Sequence, residues 1–311
     1  MTNLIVRARS LFIFFLLLGL VTSVHADEPR RLVLVAGKPS HPPRMHEFNA
    51  GVQLLAKCLK DVPGLEVEYV LNGWPEDGAV FEKADAAVFF MDGGGKHELV
   101  QENGRRLKLI DGLAAKGLGI GCMHYGVEVV PSQAGAEFLR WIGGHYENMF
   151  SCNPMWEPEF TVFPDHPITR GVKPFQIKDE WYFNMRFLSN LDGTTAANIG
   201  DVKFTPILVA EPGDAVRDGP YVYPKGPYPH IQAEKGKAEA MMWAIERPNG
   251  GRGFGFTGGH FHDNWANDNF RKVVLNALVW VSKAQVPEQG IASTVTADEL
   301  NLNLDPKPAK K

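Results

Sequence analysis

The sequence predicts an α/β protein with a three-layer, doubly wound and mostly parallel sheet. Short, continuous apolar runs at residues 31–37, 84–92 and 117–123 are typical of strands that are buried on both faces. Helical patterns lie between these runs, and the alternation of strand and helix indicates βαβ units. Ligands of such sheets bind beyond the carboxyl ends of the strands, so the residues that follow each run are the first candidates for a site.

The remaining elements follow in chain order. A helix begins near His46, with apolar residues at steps of four, three and four, and LEVEYV at 65–70 alternates as a strand does. Residues 102–115 form the next helix. The segment 150–236 is rich in Pro, Gly and aromatic residues and is predicted to be an insertion with short strands. EAMMWAIE and GRGFGFTGG then predict two strands joined by a turn, and a final helix covers 269–283.

Both ends of the chain are predicted to lie outside the α/β domain, which spans 27–284. Two arginines precede the apolar run LFIFFLLLGL, and the small residues that end at Ala26 fit a signal-peptidase site. Residues 1–26 therefore predict a signal peptide and an exported protein, periplasmic or secreted. The run is shorter than the roughly 20 residues that span a bilayer, so no membrane association is expected after cleavage; a retained anchor is the alternative. Residues 285–311 predict a disordered tail.

Composition excludes several classes of function. The formal net charge is −4 without any basic cluster, so nucleic acid is not expected as a partner. The three cysteines, Cys58, Cys122 and Cys152, are too few for a disulfide framework, and their odd number does not allow all of them to pair. GRGFGFTGG contains the pattern GxGxxG, but it ends a late strand without the downstream acidic residue. No nucleotide cofactor is expected.

The stretch GLGIGCMHYGVE places a cysteine and a histidine where a buried strand ends. A nucleophile elbow needs small residues two positions before and two after its tip. With Cys122 at the tip, these positions hold the bulky Ile120 and His124. With His124 at the tip, they hold Cys122 and Gly126, which are both small. His124 is therefore predicted at the tip, with Cys122 packed beneath it.

Three blocks in the same order resemble the ThuA-like (trehalose-utilisation) family. They are the elbow with histidine, the stretch DHPITRGVKPFQIKDEWYF, and GRGFGFTGGH followed by a helix that ends in NALVWV. The resemblance covers about residues 31–282 and implies the class I glutamine amidotransferase-like (flavodoxin-like) fold. It also implies carbohydrate as the small-molecule partner. The amidotransferase cysteine is missing from the elbow in that family and here, and no Cys-His-Glu triad can be assembled.

The resemblance also implies site residues. It maps the strand-end Gly-His of the family onto His260 and its acidic-aromatic element onto Glu180 and Tyr182. Together with the elbow, this gives His124, Glu180 and His260 as the predicted catalytic residues. His46 stands at the start of a helix, where the helix dipole disfavours the imidazolium form and leaves a neutral ring.

Neutral imidazoles with one carboxylate have the composition of a Zn- or Fe-type site. One divalent metal is the expected cofactor, held by His46, His124, His260 and Glu180. The competing interpretation has His124 as a general acid/base that Glu180 orients, without a metal. Loop histidines and aromatic residues are predicted to contact the sugar, the latter by stacking on its ring; they are His41, His97, Trp156, Tyr182 and Trp265.

Three functions follow from these residues. The first is an enzyme that catalyses the hydrolysis, isomerisation or elimination of a sugar or keto-sugar. The second is a carbohydrate-binding protein without catalytic activity. The third is a thiol enzyme that uses Cys122.

Overall fold

The computed structural model describes residues 28–307, and its centre is an eight-stranded sheet. The strands are β1 (Arg30–Ala36), β2 (Leu65–Val70), β3 (Ala86–Phe90), β4 (Gly119–Met123), β5 (Ala197–Ile199), β6 (Val202–Ala210), β7 (Glu239–Glu246) and β8 (Arg252–Phe256). Their order across the sheet is β5-β6-β7-β8-β4-β3-β1-β2. The pairs from β8 to β2 are parallel and the pairs from β5 to β8 are antiparallel.

Helices cover both faces of this sheet. The long ones are α1 (Phe48–Leu59), α2 (Arg105–Ala115), α3 (Ala136–Ile142) and α4 (Asp268–Val281). Successive side chains of β1 point to opposite faces. Leu32 and Leu34 pack with α1 and α4, whereas Val33 and Val35 pack with α2 and α3. The three-layer α/β fold predicted from the sequence is confirmed.

The Pro/Gly/aromatic-rich segment forms short antiparallel ladders beside the sheet. The paired strands are Gly144–His145 with Arg186–Phe187, Met155–Trp156 with Asp179–Glu180, and Glu159–Phe160 with Phe175–Gln176. Three short α-helices also occur among residues 28–307, at Ala79–Glu82, Asp214–Arg217 and Pro229–Gln232. The ladder that ends at Glu180 is the one that carries a candidate site residue to the edge of the sheet.

The structure describes much of the C-terminal segment but not the predicted signal peptide. The predicted signal peptide, 1–26, lies outside the described residues. Disorder was predicted from residue 285 onward, but the described part of that segment packs on the domain, with Val286, Ile291 and Leu300 buried. These three apolar residues reach the core, although the overall composition of the segment is polar. Within residues 28–307, none of the helices combines the length and apolar character needed to cross a membrane.

Candidate metal centre

The turn after β4 places His124 at its tip, as a nucleophile elbow places its nucleophile. His124 has φ +52°, in the left-handed region that non-glycine residues rarely adopt. An added Cβ at Gly126 would lie 3.0 Å from the carbonyl oxygen of Phe89, so this position has room for little more than glycine. Cys122 is fully buried beneath the turn, and burial raises the pKa of its thiol. The turn therefore has His124 at its tip, with small residues on either side. Cys122 lacks the exposure that a nucleophile needs.

His46 reaches the same place from the loop between β1 and α1. Its side chain is fully buried, and its backbone has φ +47°. Its Nδ1 lies 3.1 Å from Oδ1 of Asp92, which follows β3, and Ser40 donates to the same oxygen at 2.9 Å. The loop is anchored on the other side because the backbone N–H of His46 donates to the carbonyl of His260 at 3.0 Å.

His260 follows β8 through a pair of glycines. Gly259 has φ +108°, a conformation that favours glycine, and this turn points the His260 ring inward. The buried Asp179 carboxylate accepts the backbone N–H of Gly259 at 2.8 Å and that of His260 at 3.0 Å. The neighbouring His262 is also buried but does not enter the cluster.

Glu180 completes the group from the insertion. Its Oε2 lies 2.7 Å from His260 Nδ1 and 3.5 Å from His124 Nε2. Its other oxygen, Oε1, accepts from Asn153 Nδ2 at 2.8 Å. The short ladder that pairs Glu180 with Met155 is what holds the carboxylate over the ends of the parallel strands.

Four ligand-type atoms therefore converge at the carboxyl end of the sheet. His46 Nε2 lies 3.0 Å from His260 Nδ1 and 3.0 Å from His124 Nε2, and His260 Nδ1 lies 3.3 Å from His124 Nε2. All ligand atoms of His46, His124, Glu180 and His260 lie within 4.8 Å of one another, and all four residues are buried. The four residues proposed from the sequence as a metal site are brought together.

The outer partners of two rings decide where their protons lie. His124 Nδ1 lies 2.9 Å from the carbonyl oxygen of Thr257, which only accepts, so we assign the proton to Nδ1 and leave Nε2 bare. His46 Nδ1 donates to the Asp92 carboxylate in the same way, and its Nε2 is bare as well. Two bare nitrogens 3.0 Å apart repel unless a cation, either a metal ion or an added proton, lies between them.

The charges of the group agree with a site for a cation. Burial raises the pKa of a carboxyl, but interactions with the His124 and His260 rings outweigh it and lower the pKa of Glu180 to about 2. Burial and the nearby His124 ring hold the pKa of His46 well below its usual range, so that ring is neutral near pH 7. Burial opposes the charged form of His124, yet the Glu180 carboxylate outweighs it and raises the pKa of His124.

A family model described as "ThuA: Trehalose utilisation" matches residues 32–281. The chain belongs to the ThuA family. No curated protein matches it at a significant level. It is similar in fold to a ThuA-like protein from Bacteroides uniformis, with 14% identity, a TM-score of 0.55, and coverage of 84% of this chain and 94% of that one. A ThuA-like protein from Parabacteroides merdae is similar at 15% identity and a TM-score of 0.52, with 87% and 94% covered.

A pocket of about 720 Å³ opens next to the four-residue cluster of this ThuA-family chain. His46 and Glu180 line it, and so do the predicted substrate residues His41 and Tyr182. The His41 ring stacks on His46 with centroids 3.6 Å apart, and the Tyr182 hydroxyl lies 3.3 Å from His124 Nε2. Other polar lining residues were not predicted; they are Asp92, Lys96, Tyr125, Glu128, Glu147, Asn148, Asn153 and Tyr223.

Three residues predicted to contact substrate do not line this pocket. His97 is fully buried and bonds to the Gly126 carbonyl and the Leu99 N–H, so it supports the elbow from below. Trp156 is 7% exposed and donates to the carbonyl of Trp181. Trp265 is fully buried against Phe90 and Phe270. The three side chains turn inward, and the two indole rings gain more from burial in the core than they would at the surface.

Two of the residues that were not predicted, Asp92 and Asn153, differ in whether the sequence contains a signal for them. Asp92 ends the apolar run of the third strand, so its place at the ligand-binding edge was open to the same argument that selected the histidines. Asn153 lies in the insertion, where weak periodicity gives no signal. It reaches the site because Cys152 pairs with Phe183 across the insertion.

Proposed function

We propose that this ThuA-family chain is an exported, metal-dependent enzyme that processes a carbohydrate. The observation that carries the proposal is that His46 Nε2 and His124 Nε2 face each other at 3.0 Å inside a cluster completed by His260 and Glu180. A divalent ion at the centre would turn the repulsion between these atoms into four favourable bonds. Buried, charged and lone-pair-bearing groups of this kind are otherwise costly to assemble.

The spacing of the atoms supports an ion of the Zn or Fe type. Four ligands at about 2.0–2.2 Å from a tetrahedral ion lie about 3.3–3.6 Å from each other. Five of the six separations run from 2.7 to 3.5 Å, close to this range, and the sixth, between His46 and Glu180, is within 4.8 Å. The outer hydrogen bonds of His46 to Asp92 and of His124 to Thr257 have the form that orients ligating histidines in metalloproteins.

Carbohydrate as substrate is supported by the family description and by the pocket. Its volume of about 720 Å³ lies within the roughly 300–1,000 Å³ of small-molecule sites. Its acidic, amide and tyrosine side chains offer donors and acceptors for hydroxyl groups. When bound, a divalent ion polarises a carbonyl or hydroxyl oxygen of the substrate, which serves hydrolysis, isomerisation or elimination alike.

Two alternatives keep the same pocket. Without a metal, the extra proton would reside on His124, whose raised pKa supports a general acid/base oriented by Glu180. A carbohydrate-binding protein without turnover is the second alternative. The thiol enzyme is disfavoured, because Cys122 is fully buried and burial raises the pKa of its thiol.

Elemental analysis of the purified mature protein tests the metal. We expect about one zinc or iron ion per chain, and we expect His46→Ala, His124→Ala and Glu180→Gln each to lose it. His230→Ala removes an exposed histidine and is the matched control that retains the ion. A folded wild type that takes up no ion, even when dialysed against zinc and iron salts, would leave the acid/base alternative.

Activity and export need separate measurements. The metal-loaded protein is screened against trehalose, other disaccharides and keto-sugars such as fructose, with product and bound sugar both recorded. Turnover that disappears in His124→Ala supports an enzyme, whereas sugar binding without turnover in the wild type supports a binding protein. Export predicts an intact mass that corresponds to a chain beginning at Asp27.

A further inference from the structure

The acidic residues of the pocket differ in their partners. Asp92 bonds with His46 and Ser40, Glu180 bonds with His260 and Asn153, and Glu147 bonds with Arg186. Glu128 lines the same pocket, but among residues 28–307 no side chain forms a hydrogen bond or ion pair with its carboxylate. A partly buried carboxylate without a partner is costly, and such groups occur where a substrate supplies the missing contact.

The position of Glu128 is nevertheless held firmly. Its backbone N–H donates to Tyr125, and its carbonyl accepts from Gly94, both at 3.0 Å. A bridge to Tyr146 holds the segment from the other side. Its Oε1 lies over Gly94, where an added Cβ would come within 3.2 Å of that oxygen. The glycine loop therefore leaves room for a carboxylate that is fixed at its base and free at its tip.

The electrostatic surroundings fit a group that exchanges protons near neutral pH. Burial, and then the negative charge of Glu180, raise the pKa of Glu128 to about 7. A general acid or base works best when its pKa lies near the working pH.

We propose that Glu128 is the residue that transfers a proton to and from the sugar bound beside the four-residue cluster. This inference rests on the proposed function and adds the proton-transfer group that the cluster lacks, since the bare nitrogens and the Glu180 oxygen are committed to the ion. The free carboxylate tip, the shared pocket and the rigid base together support it.

Glu128 takes up and returns one proton in each reaction class. In hydrolysis, it takes a proton from water as the water oxygen bonds to a sugar carbon, the bond from that carbon to the leaving oxygen breaks, and the proton passes from Glu128 to that oxygen. In isomerisation, Glu128 takes the proton from the carbon next to a carbonyl group and returns it to the former carbonyl carbon, while a hydroxyl proton passes between the two substrate oxygens. In elimination, the proton from that carbon goes to the oxygen that leaves as its C–O bond breaks and a C=C bond forms. No oxidant or reductant is needed.

The test compares Glu128→Gln and Glu128→Asp with the wild type, all metal-loaded, on the sugar that the wild type turns over in the screen. We expect kcat of Glu128→Gln to fall by about 10²–10⁴-fold, with KM, metal content and melting temperature close to those of the wild type. Glu128→Asp keeps a carboxylate and should recover part of kcat. Glu157→Gln alters an exposed carboxylate outside the pocket and should behave as the wild type.

The outcomes separate this inference from the proposed function. A Glu128→Gln variant with wild-type kcat would overturn the inference and leave the proposed function standing. Loss of metal together with activity in that variant would overturn it too, because Glu128 would then support the cluster. A metal-loaded wild type that turns over none of the sugars would overturn both.

Discussion

Asp92 shows how a residue outside the four-residue cluster sets the chemistry within it. It follows β3 and accepts from His46 Nδ1 at 3.1 Å. This bond fixes the ring orientation and keeps the proton on the outer nitrogen, so that Nε2 presents its lone pair to the centre. Burial raises the pKa of Asp92, because the carboxylate has lost part of its contact with water. Its hydrogen bonds with His46 and Ser40 take the place of that water.

Asp92→Asn is therefore expected to weaken metal binding without removing a ligand. The amide keeps the shape of the side chain but loses the charge that favours the required tautomer. We expect the metal dissociation constant to rise about 10–100-fold, measured by competition with a chromogenic chelator. Asp61→Asn, at an exposed position of the surface, is the control. Equal affinities of Asp92→Asn and wild type would contradict the assigned role.

The thiol of Cys122 is expected to be unreactive in the native protein. Because it is fully buried and burial raises the pKa of its thiol, iodoacetamide should not modify it in the native protein at pH 7. Peptide mapping after alkylation should find Cys122 labelled only when a denaturant is present. Native labelling that inactivates the protein would restore the thiol-enzyme hypothesis.

Strand ends and the turns after them define the site at the scale of elements. β1, β3, β4 and β8 are parallel neighbours or near neighbours, so the loops that follow them meet at one edge. After β8, the chain passes His260 and enters α4, whose N-cap is Asn267. The Asn267 side chain accepts the N–H groups of Asn269 and Phe270, both at 3.0 Å.

Removal of this cap tests how firmly α4 is anchored. Asn267→Ala should lower the free energy of unfolding by about 1 kcal/mol, because two N–H groups of the first turn lose their acceptor. Urea unfolding of the metal-free protein measures the change. Asn267→Asp retains an acceptor and should unfold at nearly the wild-type urea concentration; a loss as large as that of alanine would show that the cap is not the cause.

The insertion was the element that sequence patterns described least. Before β5 and β6, which join the central sheet, its strands are two residues long, and no periodicity can be read from two residues. It nevertheless supplies Glu180 and Asn153, and Asn153 also accepts the N–H of Tyr223 at 3.2 Å. Resemblance to the family located Glu180, but Asn153 depended on the pairing of distant segments.

Buried neutral histidines connect the stability of the whole molecule to pH. Burial lowers the pKa of His97, His166 and His262 to about 4 each. In the unfolded chain, the same groups take up protons near pH 6.5. Between these values the unfolded state binds more protons, so the contribution of these histidines to stability is constant above about pH 6.5 and falls as the pH drops towards 4.

His97→Gln should reduce this dependence. Gln can keep a donor for the Gly126 carbonyl and an acceptor for the Leu99 N–H, but it does not titrate. We expect the loss of unfolding free energy between pH 7 and pH 4.5 to be smaller than in the wild type by up to about 3 kcal/mol. Urea titrations of metal-free proteins measure it, and His230→Gln, at an exposed position, is the control. Identical pH profiles of His97→Gln and wild type would contradict a neutral buried His97.

The sequence by itself determined the sheet, its helices and the histidine at the tip of the elbow. These features depend on local periodicity and on the size of residues two positions away, which the chain carries within a few residues. Only the tertiary structure decided which loop residues face the pocket. His97, Trp156 and Trp265 turn into the core, whereas Asp92, Asn153 and Glu128 reach the site. Side-chain direction in irregular loops depends on contacts between residues far apart in the chain, and no local pattern records those contacts.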